Sequence, residues 1–118
     1  MSNMKNVVPI EDALKVVRRK WQNLYPEIDL DTQVHRERPL IQLLYITVPE
    51  ENRQNGIGRA MLSEVIEVAE KFGCSITLSP SSECGTPMYA LDRFYSSLGF
   101  AWHDEETMVR IPRIPVFS

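Results

Sequence analysis

Eight residues in the middle of the chain have the composition of a loop that binds phosphate. They run from Arg53 to Ala60 in the order Arg-Gln-Asn-Gly-Ile-Gly-Arg-Ala, between an apolar run at 40–48 and an amphipathic stretch at 57–72. A glycine loop that opens a helix presents unpaired backbone N–H groups at the positive end of the helix dipole, and its glycines let an anion approach without meeting a Cβ atom. The sequence therefore predicts a phosphate-binding loop between a strand and a helix.

The residues that this loop lacks disfavour the commoner phosphate ligands. A Walker A loop ends in Gly-Lys-Ser/Thr, but Gly58 is followed by Arg59 and Ala60, so the lysine and the magnesium-binding hydroxyl are missing. A dinucleotide loop needs a third glycine, where this chain has Met61, and an acidic residue at the end of the next strand, where residues 78–80 are Leu-Ser-Pro. ATP, GTP, NAD and FAD are therefore disfavoured.

A second motif, which follows one more predicted strand, completes a resemblance to a known family. The spacing Arg-x-x-Gly-x-Gly of residues 53–58 resembles the acyl-CoA pyrophosphate loop of the GNAT superfamily of N-acetyltransferases. Residues 94–100, Phe-Tyr-Ser-Ser-Leu-Gly-Phe, look like the signature that closes the fourth helix of that family. Each motif alone is often an ordinary turn or helix cap, but the matching elements cover about residues 38–112 in the family's order. The resemblance implies an α/β (α+β) fold with a mixed, mostly antiparallel central sheet, splayed between two strands and flanked by helices.

The resemblance also implies a co-substrate and the residues that bind it. In the family, acetyl-CoA lies in a gap between the fourth and fifth strands, and the fourth strand corresponds here to residues 40–48. The backbone of Ile46, Thr47 and Val48 is expected to bind pantetheine and to orient the acetyl carbonyl for oxyanion stabilisation. The residues expected at the pyrophosphate are Arg53, Gln54, Asn55, Gly56, Ile57, Gly58, Arg59 and Ala60. The two arginine side chains either add charge to the phosphates or are solvated surface groups.

One tyrosine holds the position of a general acid in this resemblance. Attack by an amine expels CoA as a thiolate, and Tyr95 corresponds to the tyrosine that protonates the sulfur in relatives. A phenol with its ordinary pKa of about 10 stays protonated at neutral pH and can donate a proton. The alternative is that Tyr95 only packs between helix and sheet with its hydroxyl satisfied.

The general base is missing from its usual position. Many relatives place a glutamate on the fourth strand, and counting back eleven residues from Arg53 reaches Gln42. Glutamine cannot act as that base, although Gln42 can position the acceptor by hydrogen bonding. Three possibilities remain: a water chain that ends on Glu37, His35 or another exposed carboxylate, an acceptor that arrives neutral, or slow turnover.

Two functions of different classes follow from these residues. The first is an acetyl-CoA-dependent N-acetyltransferase that acts on a primary amine of a small molecule or protein by direct attack in a ternary complex. The alternative is a catalytically silent acyl-CoA-binding or protein-interaction module, and transfer to a hydroxyl stays open. Against the family pattern, the usual first strand and one of two early helices are absent before residue 30. A homodimer or a protein partner that completes the acceptor site is therefore compatible with the sequence.

Composition limits the class of protein. The 118 residues suit a single domain, and 13 Lys+Arg against 16 Asp+Glu give a net charge of −3, so no electrostatic grip on nucleic acid is expected. The lack of a membrane-spanning apolar stretch or a signal-peptide core predicts a cytoplasmic protein with no membrane partner. Cys74 and Cys84 are predicted to be reduced thiols, and with His35 and His103 they form no metal-ligand spacing, so no metal is predicted. No histidine is placed to activate Cys84 as an acyl-carrying nucleophile.

The apolar periodicity predicts the elements that position these residues. Helices are predicted over 9–25, 57–72 and 86–98. Strands are predicted over 31–37, 40–48, 75–79, 100–103 and 107–111, as a first hairpin, a short buried strand and a terminal hairpin. Thr86 is expected to cap the last helix, with Pro87 in its first turn. Residues 1–8 and 113–118 are expected to be loosely ordered.

Overall fold

The computed structural model describes residues 4–49, 55–81 and 86–113. In these residues three helices and five strands follow one another along the chain in the order α-β-β-α-β-α-β-β. The helices are α1 (Met4–Leu24), α2 (Ile57–Phe72) and α3 (Met88–Ser97). The strands are β1 (Asp29–Val34), β2 (Leu40–Thr47), β3 (Ser75–Leu78), β4 (Ala101–Trp102) and β5 (Met108–Arg110). The predicted order of elements is thereby confirmed.

The five strands form one sheet in the order β1-β2-β3-β5-β4. Only β2 and β3 are parallel to each other, and the other three pairs are antiparallel. The mixed, mostly antiparallel sheet flanked by helices that the sequence predicted is confirmed. Because α2 connects the two parallel strands, its amino-terminal end lies beyond the carboxyl end of β2.

The two parallel strands pair only at their amino ends. Their paired residues run from Leu40 with Ser75 to Gln42 with Thr77. β2 nevertheless continues to Thr47, and on its other side it stays paired with β1 as far as Asp29. From Leu43 onward, the β3 side of β2 has no strand neighbour in the part of the chain that the structure describes. The predicted splay between these strands is confirmed.

A β-bulge lies in β2 where the strands separate. Asp31 of β1 pairs with Tyr45 and Thr32 pairs with Leu43, so Leu44 is an extra residue without a partner in β1. A bulge increases the local twist and re-aims the side chains next to it. Leu44 and Tyr45 are accordingly both exposed, at 45% and 47%. The continuous apolar run at 40–48 gave no sign of this irregularity.

The core lies between the sheet and the pair of helices α1 and α2. The apolar positions that recur along α2 are its buried ones, namely Ile57, Met61, Leu62, Val65 and Ala69. They pack with fully buried strand residues such as Ile41 and Ile76. Between the helices, Lys20 of α1 donates to Glu64 of α2 at 2.6 Å. This packing fixes where α2 begins, and therefore where the glycine loop lies.

The first helix begins five residues earlier than predicted, at Met4 rather than Pro9. The expectation of a loosely ordered segment over residues 1–8 is therefore wrong for residues 4–8, which are helical. Val7 and Ile10, on either side of Pro9, are only 5% and 3% exposed. Their burial offsets the backbone hydrogen bond that proline cannot make. Residues 1–3 and 114–118 lie outside the described residues.

The last helix begins at Met88, two residues later than predicted. Pro87 is its N-cap residue in an extended conformation (φ −61°, ψ 150°), and no side chain caps the helix. Thr86 therefore precedes the cap, and its predicted capping role is wrong. Because ψ of Pro87 is extended, the first helical residue is Met88 and Thr86 lies one position before the cap. The other predicted ends agree with the structure or differ by at most three residues, the largest difference being β1, which ends at Val34 rather than residue 37.

Candidate functional site

The separation of β2 and β3 leaves a cleft of about 570 Å³. The second half of β2 forms one wall, and the end of β3 with the segment after it forms the other. The start of α2 and one side of α3 complete the walls. The described lining residues are 43–48, Gly56, Gly58, Arg59, 78–81, Thr86, Ala90, Leu91, Phe94 and Tyr95. We call this space the cleft.

Gly56 places the beginning of α2 against the cleft. It is the N-cap residue, in a left-handed conformation with φ 75° and ψ 14°, which costs other L-residues about 1–2 kcal/mol. The N–H of Ala60 donates to the carbonyl of Gly56 at 3.0 Å, as the first bond of the helix. Helix geometry leaves the N–H groups of Ile57, Gly58 and Arg59 without an intrahelical partner. These donors and the positive helix end are suited to an anion.

Packing within the protein does not require a glycine at position 58. A Cβ atom built there would lie 3.7 Å from Cγ2 of Val48, an ordinary van der Waals contact, and one built on Gly56 would meet no atom within 4 Å. Gly58 does not have a positive φ either. The space that a side chain at either position would occupy is open to a ligand.

The side chain of Arg59 is held against α3. Its Nη2 atom donates to Oγ of Ser97 at 2.7 Å, and its guanidinium carbon lies 5.4 Å from the ring centroid of Phe94. The hydroxyl of Ser97 in turn donates to the carbonyl of Phe94 at 2.7 Å. Arg59 is exposed, yet these contacts fix a cation at the mouth of the cleft beside the glycines.

Tyr95 lies inside the cleft, only 8% exposed. Its ring contacts Phe94 and Phe100 edge-on, with centroids 5.1 and 5.8 Å away. Burial raises the pKa of its hydroxyl, so the phenol stays protonated at neutral pH. No hydrogen bond joins this hydroxyl to another described residue, and no fully buried side-chain oxygen or nitrogen among those residues lacks a partner. The hydroxyl is therefore in contact with solvent, and Tyr95 lines the cleft.

The backbone of β2 supplies the third feature of the cleft. Ile46 and Thr47 pair with β1 on one edge of the strand, while the opposite edge faces the cleft. Backbone N–H and C=O groups of a strand point alternately to its two edges. Part of the backbone along 43–47 is therefore available to an extended ligand. Val48 continues this wall and lies beside the glycine loop.

The glycine-containing start of α2, an open strand edge and a buried phenol thus meet in one cleft. The sequence model of the acetyltransferase (GNAT) family matches residues 19–100. The chain belongs to the GNAT family. A comparison with curated proteins finds no significant match.

Solved structures support the GNAT fold. Ard1 from Thermoplasma volcanium has a TM-score of 0.59 at 15% identity, and the match covers 97% of this chain and 98% of that one. The ribosomal-protein-S18-alanine N-acetyltransferase from Escherichia coli has a TM-score of 0.58 at 24% identity, over 75% of this chain and 63% of that one. A GNAT-family acetyltransferase from Staphylococcus aureus Mu50 has a TM-score of 0.57 at 12% identity, over 94% and 96%. At these identities the likeness is one of fold.

Some residues that the sequence assigned to the site lie elsewhere in this GNAT domain. Gln42 is exposed, pairs with Gln33 and Thr77, and is not among the residues that line the cleft. His35 lies in the turn before β2, with its Nδ1 accepting from the N–H of Glu37 at 3.1 Å. The length of β2 separates this turn from the far end of the cleft by roughly 20 Å. Neither His35 nor Glu37 lines the cleft, and a water chain that ends on one of them stays a prediction.

Of the other residues that the sequence assigned to the site, some do not line the cleft and some lie outside the described residues. Asn55, Ile57 and Ala60 belong to the glycine loop and the first turn of α2 but do not line the cleft, and Ile57 is a core residue. Arg53 and Gln54 lie outside the described residues, as does Cys84. Cys74 is buried, and burial raises the pKa of its thiol.

Sequence reasoning expected a gap beside β2 but assigned no site residue to the wall opposite β2. This wall is formed by residues 78–81, with Ala90, Leu91 and Phe94 of α3 beside Tyr95. The α3 residues form one stripe at helical spacing, a signal that was visible but could equally mark a core face. No described lining residue is Asp, Glu or His. Among the described residues no cluster of three or more potential metal ligands occurs, and no helix has the length and apolarity to cross a bilayer.

Proposed function

We propose that the chain transfers an acetyl group from acetyl-CoA to a primary amine, by direct attack in a ternary complex. The observation that carries this proposal is that the cleft brings together the start of α2, the open edge of β2 and the hydroxyl of Tyr95. Each of these features alone also occurs in proteins with unrelated functions. Their meeting in one space of about 570 Å³ suits a long, anionic thioester.

The pyrophosphate of acetyl-CoA would lie on the amino-terminal end of α2. The N–H groups of Ile57, Gly58 and Arg59 point there, and the Arg59 side chain adds a cation that Ser97 holds in place. Arg53, Gln54 and Asn55 precede these donors in the loop and complete the proposed phosphate site. The pantetheine would continue along the open edge of β2, with the backbone of Ile46, Thr47 and Val48 as its partners. The acetyl group then lies beside Tyr95.

The reaction needs an acid at the sulfur and a neutral nitrogen. The nitrogen attacks the thioester carbonyl carbon, a C–N bond forms, and the collapse of the tetrahedral intermediate breaks the C–S bond. Tyr95 gives its proton to the departing sulfur, and burial keeps this phenol protonated until that step. Water removes the proton that the nitrogen loses and returns one to Tyr95. Backbone donors on β2 would stabilise the oxyanion.

One observation favours the second candidate, a silent acyl-CoA-binding module. The described lining residues contain no carboxylate or imidazole, and Gln42 stands where many relatives have glutamate. An enzyme with these residues depends on an acceptor that is already neutral. The names of the solved neighbours, among them an alanine N-acetyltransferase for a ribosomal protein, make a protein amine one acceptor class beside small amines.

Two matched glycines test whether acetyl-CoA binds at the loop. Gly56 and Gly73 flank α2 with φ angles of 75° and 68°, and a Cβ atom on either meets nothing within 4 Å. Gly56→Asp and Gly73→Asp therefore carry the same backbone strain and the same charge. Only the first puts a carboxylate where the pyrophosphate would lie. By calorimetry we expect Gly56→Asp to weaken acetyl-CoA binding roughly 100-fold, about 2.7 kcal/mol, and Gly73→Asp to leave it unchanged.

A third variant separates the effect of an added side chain's volume on acetyl-CoA binding from the effect of its charge. Gly58→Ala adds one methyl group that the protein accommodates, and alanine favours a helix more than glycine does. Its thermal stability should equal or exceed that of the parent, while its acetyl-CoA affinity should fall. Acetyl-CoA binding that is equally strong in parent, Gly56→Asp and Gly58→Ala would refute the proposed site. Binding in the parent without turnover on any amine would favour the silent module.

A further inference from the structure

The helix α3, which carries Tyr95, buries fewer side chains than α2 does. Tyr95 is the one residue of α3 that is buried, whereas α2 buries five of its side chains. Leu91 and Phe94 of α3 are partly buried against the core. Elements with few buried side chains open locally at a low free energy. The position of the Tyr95 hydroxyl therefore depends on the contacts that hold α3 to the rest of the protein.

Different elements hold α3 at different points. On the side of the terminal hairpin, Nε1 of Trp102 donates to Oδ1 of Asp92 at 2.8 Å. At the cleft, Nη2 of Arg59 donates to Oγ of Ser97 at 2.7 Å. Arg59 is a residue of the first turn of α2 and lines the cleft. It therefore connects α3 to the part of the cleft that we propose for the pyrophosphate.

The hydroxyl of Ser97 is oriented to accept a hydrogen bond from Arg59. It donates its own hydrogen to the carbonyl of Phe94 at 2.7 Å, which leaves its lone pairs for the guanidinium. The ring of Phe94 lies 5.4 Å from the guanidinium carbon and attracts the same cation. Phe94 also contacts Tyr95 edge-on, with ring centroids 5.1 Å apart. The guanidinium thus contacts the turn of α3 on which Tyr95 lies.

Arg59 also has donors for a phosphate. A guanidinium carries five N–H donors, and the bond to Ser97 occupies one of them. The backbone N–H of Arg59 is one of the donors that the first turn of α2 leaves without an intrahelical partner. An anion at this helix end can bind the main chain and the side chain of the same residue. Charge-assisted bonds of this kind are among the stronger hydrogen bonds in proteins.

The bond between Arg59 and Ser97 is weak on its own, because both residues are exposed. Water competes for exposed polar groups, and a long side chain loses rotamer freedom when it holds one geometry. A phosphate that fixes the guanidinium has already removed this freedom, so the bond to Ser97 then forms at a lower entropic cost. By reciprocity, a guanidinium that Ser97 holds binds the phosphate more tightly.

Building on the proposed function, we propose that the phosphates of acetyl-CoA, acting through Arg59 and Ser97, order the helix that carries Tyr95. Ser97 is then a positioning residue, since it does not line the cleft and acts through Arg59. The nucleotide part of acetyl-CoA contributes to the placement of the general acid as well as to affinity. Binding energy from a remote part of a substrate is used in this way to assemble the reacting centre.

The test uses a ligand that carries the phosphates but has no pantetheine to reach Tyr95. This ligand is adenosine 3′-phosphate 5′-diphosphate, the nucleotide part of CoA. Hydrogen exchange followed by mass spectrometry measures how often the amide hydrogens of α3 open, and calorimetry gives the ligand concentration that saturates each protein. In the parent protein we expect the saturating nucleotide to slow exchange in α3 roughly fivefold.

Variants at two neighbouring serines test the route through Ser97. Ser97→Ala removes the acceptor of the Arg59 bond, and we expect the saturating nucleotide to slow exchange in α3 of this variant by less than about 1.5-fold. Ser97→Thr keeps a hydroxyl and should restore the effect seen in the parent. Ser96→Ala is the matched control, because Ser96 is an exposed serine of the same helix whose hydroxyl bonds to Asp92 instead. It should respond to the nucleotide as the parent does.

Each outcome bears either on this coupling or on the proposed function. The coupling is overturned if the nucleotide binds the parent without slowing exchange in α3, or if parent and Ser97→Ala are protected equally. It is also overturned if a parent that binds acetyl-CoA does not bind the nucleotide. An equal loss of protection in Ser96→Ala overturns the role of Ser97. Lack of acetyl-CoA binding by the parent overturns the proposed function itself.

Discussion

Tyr95 is the side chain on which the chemistry of transfer is expected to depend. Tyr95→Phe removes only the hydroxyl, and the ring contacts with Phe94 and Phe100 remain. Because no described residue depends on that hydroxyl for a hydrogen bond, the fold should keep its stability. We expect acetyl-CoA affinity to be unchanged and turnover to fall roughly 100-fold or more, as for the loss of one general acid. Steady-state kinetics together with calorimetry check this.

The matched control is Tyr89→Phe, which removes a hydroxyl from a residue of the same helix that is 70% exposed. It should leave turnover as in the parent. A Tyr95→Phe protein as active as the parent would place the acid elsewhere. Sequence reasoning could reach Tyr95 only through a family motif, and its alternative was a satisfied core tyrosine. The open position of the hydroxyl was visible only in the folded chain.

At the scale of elements, the register of β2 decides what position 42 can do. Gln42 forms the last pair with β3, and the cleft begins one residue later. A carboxylate placed there would be at the closed end of the splay rather than in the cleft. We therefore expect Gln42→Glu to leave the pH dependence of turnover unchanged. In the parent and in the variant, the rate should rise with pH until the acceptor amine is largely neutral.

Gln33→Glu is the control for this prediction, because Gln33 lies opposite Gln42 on the same exposed face of the sheet. If Gln42→Glu alone shifted the pH–rate curve to lower pH, position 42 would lie on the path of the proton. The predicted bounds of β2 agree with the structure to within one residue because its apolar run is long. The sequence could not reveal the bulge at Leu44, since a continuous apolar run hides the alternation that marks register.

At the scale of the whole molecule, one ion pair joins elements that are far apart in the chain. Glu70 of α2 accepts from Nη1 of Arg110 at 2.6 Å and from the N–H of Arg113 at 3.0 Å. Arg110 also donates through Nε to the carbonyl of Leu98 at 3.0 Å. These bonds tie α2, the end of α3 and β5 together. They hold the helix that carries Tyr95.

The hydrogen bond from Arg110 is the main cause that lowers the pKa of Glu70, with a further contribution from Arg113. A lowered pKa means that the stabilisation is present above the unfolded-state pKa of about 4.3 and is lost as the pH falls through the folded-state pKa. We expect Glu70→Gln to reduce the free energy of unfolding at pH 7 by about 1–2 kcal/mol. The difference from the parent should shrink at pH 3. Urea unfolding at both pH values measures this.

Glu67→Gln is the matched control, since Glu67 is an exposed residue of the same helix. It should change the free energy of unfolding by less than about 0.5 kcal/mol. A loss for Glu70→Gln that stays the same at pH 3 would show that packing, not charge, links these elements. Arg110 is only 7% exposed, and no pattern in the sequence predicted an arginine in the interior.

The sequence by itself determined the features that depend on neighbours along the chain. The glycine loop, the amphipathic α2 that ends at Gly73 and the order of strands and helices follow from local backbone preference and periodicity, and with the helix motif they suffice to indicate the family. Only the tertiary structure decided which residues share the cleft. Residues 78–81 form the wall opposite β2, and Arg59 contacts Ser97. The hydroxyl of Tyr45 bonds to Asp29. Each of these arrangements brings together residues that lie far apart in the chain. The cleft itself exists because β2 and β3 separate after three pairs. Local sequence patterns do not encode it.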